Sequence, residues 1–254
     1  MKLISLNIWG GKIHGSLIEF FKEYSDSVDI FCLQDILFGE KAEFSPKRGG
    51  RVNIFNEIKE ILHDFKPSIF RTPGESHFHD EILDPNVGCG QVIFIRKNLE
   101  IKESGGFRSE DDIYKQDGTI ASGKYHWIKT EIKGRETLIM NIHGLWQKDS
   151  DKKDTPERLR QCELIQNFLD SHIGQKIVCG DLNIDLNTRS MEILGQNLVN
   201  LVKEYKISST RSSLYPKSGK FADYVFVSEG IKIKDFKVLQ DKVSDHLPLL
   251  LEFE

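Results

Sequence analysis

Paired cysteines and long apolar runs are both missing from this sequence. The chain has four cysteines in 254 residues, and no two of them form a CxxC pair. Cys32 and Cys179 lie inside the apolar runs IFCLQ and IVCGD, so we expect buried, reduced thiols. No apolar run approaches the roughly 20 residues that span a bilayer, and the start MKLISLNIWGG lacks the apolar core of a secretory signal. We therefore expect a cytoplasmic protein, and a monomer.

An excess of either charge is also missing. The chain has 35 basic and 39 acidic residues, which give a formal net charge of −4. This balance permits a nucleic acid partner but does not indicate one, because binding to a phosphate backbone normally needs clustered Lys or Arg. With 39% hydrophobic residues, the chain can bury a large core, and we predict a single domain over residues 1–254.

Apolar residues recur with strand and helix periods along most of the chain. The pattern predicts strands at residues 3–8, 28–33, 68–71, 91–96, 125–133, 136–142, 176–179, 224–227, 231–238 and 247–253. It predicts helices from about residue 16, at residues 52–65, and from Thr155, a good N-cap ahead of Pro156. The polar stretch 104–124 indicates a loop or an irregular hairpin. Many strands and few helices favour a sheet-rich layered α/β fold over a regular βαβ array.

Polar side chains bound these apolar strands at several separate points. In an antiparallel sheet, the start of one strand lies at the same edge as the end of its neighbour, so these side chains can converge at one rim. Any one of them alone is more often a turn former or a structural histidine. The combination of carboxylates, amides and imidazoles is what indicates a site. These residues are Asn7, Gln34, Asp35, His143, Asp181, Asn183, Asp223, Ser244, Asp245 and His246.

Such a cluster of acidic side chains needs a positive partner. Unpaired carboxylates that lie together repel one another and raise their own pKa values unless a cation or a basic group is present. Oxygen and amide ligands, without cysteine or a HExxH pattern, select a hard ion rather than zinc. The sequence therefore predicts Mg²⁺ as the cofactor, with Mn²⁺ as the alternative.

The segments LNIWGG, LQD, NIHG, GDLN, DYVFVS and SDHLPL occur in this order and span nearly the whole chain. Together they resemble the endonuclease/exonuclease/phosphatase superfamily of metal-dependent phosphohydrolases, and GDLN with the terminal SDH is the most specific part of the match. The resemblance implies a DNase I-like, four-layer αββα sandwich. In that fold two mixed β-sheets pack face to face, helices lie outside, and the active site lies at one end of the sheets.

The resemblance also implies a metal-binding set, in which Asn7, Asp35 and Asp245 surround one Mg²⁺. The family usually has Glu where this chain has Asp35, a side chain shorter by one carbon–carbon bond of about 1.5 Å. Mg²⁺ tolerates little error in its contacts of roughly 2.1 Å. Either the backbone must then lie closer to the ion or a water must bridge, and Mn²⁺, being less strict, can support more activity.

The remaining roles implied by the resemblance concern water and the phosphoryl group. Asp181, assisted by Asn183, resembles the group that orients or deprotonates the attacking water. His246, paired with Asp223, resembles the residue that binds a phosphoryl oxygen and stabilises developing negative charge, and His143 resembles a second phosphate-binding imidazole. The implied reaction is in-line attack of water on a phosphoester.

Other polar and aromatic residues near these motifs can each be interpreted either as part of the site or as structural. Arg211, Lys217 and Lys220 precede Asp223 in sequence and can contact a substrate phosphate, but a scattered basic loop explains them equally well. Trp9 and Trp146 flank site residues and can stack on a base or line a lipid or sugar pocket, but such residues are more often part of the core edge. Arg158 and Gln161 follow the polar stretch 147–154, which indicates either a rim of the site or a solvated loop.

The sequence leaves the substrate open. Nucleic acid, a phospholipid, a phosphoinositide, and a small nucleotide or sugar phosphate all remain candidates within the enzyme class. A catalytically silent protein that binds a phosphorylated ligand on the same scaffold is the alternative from another class, and the shortened Asp35 is the feature that favours it. The otherwise full water-activating set favours a phosphoester hydrolase.

Overall fold

Two mixed sheets of six strands each form the centre of the computed structural model. It describes residues 1–71, 77–78, 81–84, 86–109, 120–121 and 123–254. In the first part of the chain the strands are β1 (Lys2–Asn7), β2 (Ile30–Phe38), β3 (Phe65–Arg71), β4 (His77–Phe78), β5 (Glu81–Ile82), β6 (Gly88–Arg96), β7 (Ile101–Arg108) and β8 (Ile120–Ala121). The later strands are β9 (Lys124–Ile132), β10 (Arg135–His143), β11 (Trp146–Gln147), β12 (Gln175–Asp181), β13 (Leu198–Asn200), β14 (Asp223–Ser228), β15 (Ile233–Val238) and β16 (Leu249–Phe253).

The helices are α1 (His14–Tyr24), α2 (Ile54–Ile61), α3 (Pro156–Asp170), α4 (Arg189–Leu194) and α5 (Leu201–Glu204), with a 3-10 turn at Trp9–Gly11. The predicted cap of α3 is confirmed, because the Thr155 side chain accepts a hydrogen bond from the backbone N–H of Arg158 and Pro156 opens the helix. Within the described part of the chain, no helix is long and apolar enough to cross a membrane.

The two large sheets share one pattern of strand directions. The first has the order β15-β16-β1-β2-β6-β3 and the second the order β13-β14-β12-β10-β9-β7. In the first sheet β1 and β2 are parallel, and in the second β10 and β12 are parallel. The other neighbours in both sheets are antiparallel.

Side chains from the two faces of the sheets build the layers of a four-layer αββα sandwich. One apolar cluster joins residues such as Leu3 and Cys32 of the first sheet to the second sheet and to Ile165 of α3. The other cluster joins the opposite face of the first sheet, including Phe31, to Leu17 of α1 and to α2. The central strands are buried on both faces, which explains why their sequences are almost entirely apolar. The predicted fold class is confirmed.

Some of the predicted boundaries were wrong. Residues 101–108, partly assigned to a polar loop, form the edge strand β7, whose outer residues are exposed and therefore polar; residues 110–119 and 122 lie outside the described part. Residue 65, assigned to a helix, begins β3. The strand predicted at 28–33 continues to Phe38 through an irregularity in its pairing with β6 between Leu33 and Ile36. The cysteines are free and buried, as expected.

Candidate active site

The polar residues that bound the strands lie at one end of the two sheets. In the second sheet, His143 at the end of β10 pairs in register with Asp181 at the end of β12, and Asp181 pairs with Asp223 at the start of β14. In the first sheet, Asn7 ends β1, and Asp245 precedes β16, which runs antiparallel to β1. The prediction of this convergence considered antiparallel strands only. The parallel pair at the centre of each sheet is equally necessary, because it places two strand ends at the same edge.

Asp181 connects the two sheets. Its Oδ2 accepts a hydrogen bond of 3.0 Å from Nδ2 of Asn7, and its Oδ1 accepts one of 3.0 Å from the backbone N–H of Asn183. The Asn183 side chain donates instead to the carbonyl of Gly144 at 3.2 Å, so it fixes the chain just after His143. The carboxylate of Asp181 is thus held on both oxygens and is 2% exposed.

His246 lies between several carboxylates. Its Nδ1 lies 2.8 Å from both oxygens of Asp223. An ionised carboxylate can only accept, so Nδ1 carries the proton and Nε2 faces the rest of the site. Nε2 lies 3.5 Å from Oδ2 of Asp181 and 3.8 Å from Oδ1 of Asp245. Nε2 of His143 lies 3.9 Å from the same Asp181 oxygen, on the more exposed side.

Arg211 is carried into this cluster by a loop that pairs with the segment before β16. Arg211 and His246 form an isolated antiparallel bridge, and Oγ1 of Thr210 accepts hydrogen bonds from the N–H groups of Ala222 and Asp223. Nη1 of Arg211 contacts Oδ2 of Asp245 at 3.2 Å and also contacts Nε2 of His246. This loop and its backbone bridge therefore bring Arg211 and His246 together with the carboxylates of Asp245 and Asp223.

Asp35 was predicted to end its strand, but β2 continues to Phe38. It sits at the irregularity between β2 and β6 and has a positive φ of 62°, a left-handed conformation in which Asp is tolerated better than most residues. Asp35 is 7% exposed, and its Oδ1 accepts a hydrogen bond from Sγ of Cys89 at 3.5 Å. An irregularity of this kind redirects the side chain at that position.

The LNIWGG motif turns the chain sharply after Asn7. Gly10 and Gly11 have positive φ values of 62° and 72°, and a Cβ on Gly10 would lie 2.3 Å from the ring of Phe78. Glycine is therefore required at position 10 both by conformation and by space. The turn places Nζ of Lys12 4.0 Å from the centroid of the Trp9 ring.

Lys152 and Tyr215 extend the cationic side of the site. Nζ of Lys152 donates to the carbonyl of Phe221 at 2.8 Å and lies 5.2 Å from the centre of the Tyr215 ring. The guanidinium of Arg211 lies 4.2 Å from the same ring. The sequence analysis named Arg211 but missed Lys12 and Lys152, because each comes from a turn whose sequence predicts only a solvated surface.

Charge and burial shift several pKa values in this region. Burial raises the pKa of Asp181, but His246, Arg211, His143 and Lys152 lower it by more, to about 2. Burial and Arg211 lower the pKa of His246, whereas the carboxylates of Asp223, Asp181 and Asp245 raise it above its ordinary value. Asp181 is therefore an anion at neutral pH, held among positive groups.

The pKa values of two lysines near the site are lowered. Burial, with a contribution from Arg211, lowers the pKa of Lys152 to about 8, although nearby carboxylates raise it. Burial also lowers the pKa of Lys12, against the carboxylates of Asp35 and Asp245, which raise it.

The donor chemistry of Asn7, Asp35 and Asp245 fits a hard divalent cation, because all three offer oxygen. Oδ1 of Asn7 accepts from the N–H of Trp9 at 2.9 Å and keeps a second lone pair. Asp181, Asp223 and His246 form another group with ligand atoms within 4.8 Å of one another. In that group His246 and Asp223 already bind each other, so a hydrogen-bonded pair explains them better than a set of ligands.

The other residues considered at the sequence level have mainly structural contacts. Gln161 is 1% exposed, and its Oε1 accepts from the N–H of Leu145 and the hydroxyl of Tyr125. Arg158 is buried and donates to the carbonyl of Lys153. These contacts hold the segments on either side of α3 in place. Lys217 and Lys220 are exposed, unlike Arg211.

Comparisons with known proteins support the architecture. Residues 4–246 match the model of the Endonuclease/Exonuclease/phosphatase family, whose members generally act as phosphoester hydrolases. The fold is similar to that of a mannosyl-6-phosphatase from Bacteroides thetaiotaomicron, with 18% identity, a TM-score of 0.69, and coverage of 100% of this chain and 99% of that one. No curated protein sequence matches this chain.

Two further solved structures have the same fold. A family protein from Leptotrichia buccalis shows 18% identity and a TM-score of 0.69, with 100% of this chain and 99% of that chain covered. The human Nocturnin catalytic domain, solved with a bound sulfate anion, shows 17% identity and a TM-score of 0.68, with 100% and 93% covered. With the family model matched from residue 4 to residue 246, the chain belongs to the endonuclease/exonuclease/phosphatase family.

Proposed function

We propose that this protein, folded as one domain over residues 1–254, is a Mg²⁺-dependent hydrolase of phosphoester bonds. Water attacks phosphorus in line with the leaving group. Asn7, Asp35 and Asp245 hold the ion, with Mn²⁺ as an acceptable substitute. When bound, the ion neutralises charge on a phosphoryl or leaving oxygen.

The arrangement around Asp181 carries this proposal. Its carboxylate receives hydrogen bonds from Asn7 of the first sheet and from the backbone of Asn183, in the loop after β12. The imidazoles of His246 and His143 both lie within 3.9 Å of its Oδ2. A structural turn aspartate has no need of this convergence. A group that orients a water molecule beside phosphoryl-binding imidazoles does need it.

The contacts of the remaining site residues support a proposed role for each of them. Asp181, an anion at neutral pH, orients the water and accepts its proton as the bond to phosphorus forms. The Asp223 carboxylate binds Nδ1–H of His246 and orients the ring, so that a proton on Nε2 stabilises the charge that develops on a phosphoryl oxygen. His143, nearer the opening, binds a second phosphoryl oxygen.

The names of two structural neighbours are consistent with this proposal. One is a phosphatase of a sugar phosphate, and another was solved with a bound sulfate, a tetrahedral anion. At 17–18% identity these neighbours share the fold with this chain, so the choice among nucleic acid, lipid and small-molecule phosphates depends on this chain's own loops.

Hydrolysis of p-nitrophenyl phosphate and bis-p-nitrophenyl phosphate, with Mg²⁺, with Mn²⁺ and with EDTA, tests the proposal. We expect turnover with either ion and its loss in EDTA. Asp181→Asn keeps the size of the side chain but removes the base, and should lower kcat by a factor of about 10² or more.

The matched control is Asp235→Asn, the same chemical change at an exposed position on β15. This variant should retain wild-type turnover. Turnover that persists in EDTA and in Asp181→Asn would reject the mechanism. A folded wild-type protein that binds phosphate esters but hydrolyses none of them would favour the silent binding protein.

A further inference from the structure

We propose that Arg211 and Lys152, which both contact the ring of Tyr215, form an additional anion subsite that selects phosphomonoesters over phosphodiesters. This inference rests on the proposed function, since it names the substrate class of the same site. It starts from a cluster of positive groups that the water-attack mechanism does not itself use.

Arg211 has an unused donor in a buried place. Its side chain is 7% exposed, and its Nη1 already contacts Asp245 and His246. Its Nε has no hydrogen-bond partner among the described residues. Buried N–H groups are nearly always hydrogen-bonded, so a lone one beside a catalytic imidazole indicates a ligand oxygen.

The backbone of Lys152 has a left-handed conformation, which non-glycine residues rarely adopt. It has a positive φ of 59°, and its carbonyl accepts from the N–H of Asp185, in the loop that follows Asp181 and Asn183. The ammonium donates to Phe221, which leaves two of its three N–H donors for other partners. Left-handed non-glycine residues persist where the surroundings hold them, and they concentrate at functional sites.

Both cations lie on the side of the site where phosphoryl oxygens are expected. Arg211 reaches Nε2 of His246, the nitrogen that faces the substrate. Nζ of Lys152 is bound to the carbonyl of Phe221, two residues before Asp223. The ring of Tyr215 contacts both cations, with its centroid 4.2 Å from the guanidinium of Arg211 and 5.2 Å from Nζ of Lys152.

The number of terminal oxygens on phosphorus then decides the substrate class. A phosphodiester has two terminal oxygens, and His246 and His143 are the groups proposed to bind them. A monoester has a third, which carries further negative charge at neutral pH. Arg211 and Lys152 supply donors and charge for that oxygen. In a diester the same oxygen carries a second ester group, which would lie against two cations and leave them unpaired.

A pair of ligands that differ by one methyl group tests the subsite by binding alone. Titration calorimetry with methyl phosphate and dimethyl phosphate, in the presence of Mg²⁺, gives both dissociation constants. We expect the wild-type protein to bind methyl phosphate at least about tenfold more tightly than dimethyl phosphate. Lys152→Met should weaken methyl phosphate binding by roughly 10- to 100-fold and change dimethyl phosphate binding by less than about threefold.

Three variants separate this role from a structural one. Lys152→Arg retains the charge and should restore the preference for methyl phosphate. Arg211→Lys retains a charge but loses the guanidinium fork, so it should reduce the preference for methyl phosphate. This variant tests the subsite if Lys152→Met does not fold. Lys203→Met, the same change as at Lys152 but on the exposed face of α5, should leave both constants unchanged.

The outcomes distinguish this inference from the proposed function. Equal losses on both ligands in Lys152→Met, or a wild-type protein without a preference, would overturn the subsite. Preference for methyl phosphate without hydrolysis of either nitrophenyl ester would support the subsite and reject the proposed function. Metal-dependent hydrolysis without any monoester preference would reject the subsite and leave the proposed function standing.

Discussion

Replacing Asn141 with leucine should damage the fold beneath the site. Asn141 is fully buried on β10 and joins the two sheets. Its Nδ2 donates to the carbonyl of Leu33 at 3.0 Å and of Val92 at 3.3 Å. Its Oδ1 accepts from Nε2 of Gln34 at 2.6 Å. Leucine has a similar volume, so the main loss in Asn141→Leu is of hydrogen bonds and not of packing.

The size of the effect follows from the groups left without partners. Losing these bonds costs roughly 1 kcal/mol each, and a buried polar group left unsatisfied costs about 1–3 kcal/mol, so we expect a loss of about 3–5 kcal/mol in the free energy of unfolding. At roughly 2–4 °C per kcal/mol for a chain of this size, Tm should fall by about 6–20 °C. Urea and thermal unfolding, followed by circular dichroism, measure both quantities.

The control is Asn167→Leu, the same substitution at an exposed position of α3. It should change the unfolding free energy by less than about 0.5 kcal/mol. If Asn141→Leu were also destabilised by less than about 1 kcal/mol, the buried amide would not hold the sheets together, and the reasoning from unsatisfied carbonyls would be refuted.

Two further predictions concern the metal and the pH profile. If the Asp35 carboxylate is too short for Mg²⁺, Asp35→Glu should lower the ratio of activity with Mn²⁺ to activity with Mg²⁺, and an unchanged ratio in metal titrations would contradict this explanation. Since the pKa of Lys152 is lowered to about 8, Lys152 loses its charge as the pH rises through that value. Hydrolysis of p-nitrophenyl phosphate should then weaken in the wild-type protein and persist to higher pH in Lys152→Arg; coincident profiles would contradict the role of Lys152. The charged and titratable groups that face Lys152 in this experiment are Arg211, Tyr215, Asp181, Asp223 and Asp185.

The strands and their polar ends could be predicted because both depend on local sequence. Buried central strands have apolar runs, and a polar residue directly after such a run marks the rim of the sheet. That reasoning brought Asn7, Asp181 and His246 to one place, where the structure also has them. The cap of α3 could be predicted for the same reason, since the Thr155–Pro156 signal lies within one turn of the helix.

The parts that could not be predicted depend on contacts distant in sequence. The bulge at Asp35 arises from pairing with β6, more than fifty residues later, and nothing in LQD itself indicates it. Lys12 and Lys152 come from turns whose charged residues are typical of any surface, and their positions depend on Trp9, Phe221 and other tertiary partners. Strand β7 was missed because an edge strand exposes one side and has a polar sequence.

The division between strands and loops has a consequence for the chemistry of the site. The buried carboxylates of Asp181 and Asp223 are fixed by strands, where register leaves little freedom. The nearby cations, Arg211 and Lys152, are carried by loops. The Arg211 loop is joined to the site by a backbone bridge to His246, and Lys152 by hydrogen bonds with Asp185 and Phe221. If the proposed roles are right, a change in those loops should alter which phosphate ester binds without moving Asp181. In the proposed mechanism, water activation therefore depends on residues fixed by the sheets, whereas the choice of phosphate ester depends on the loops.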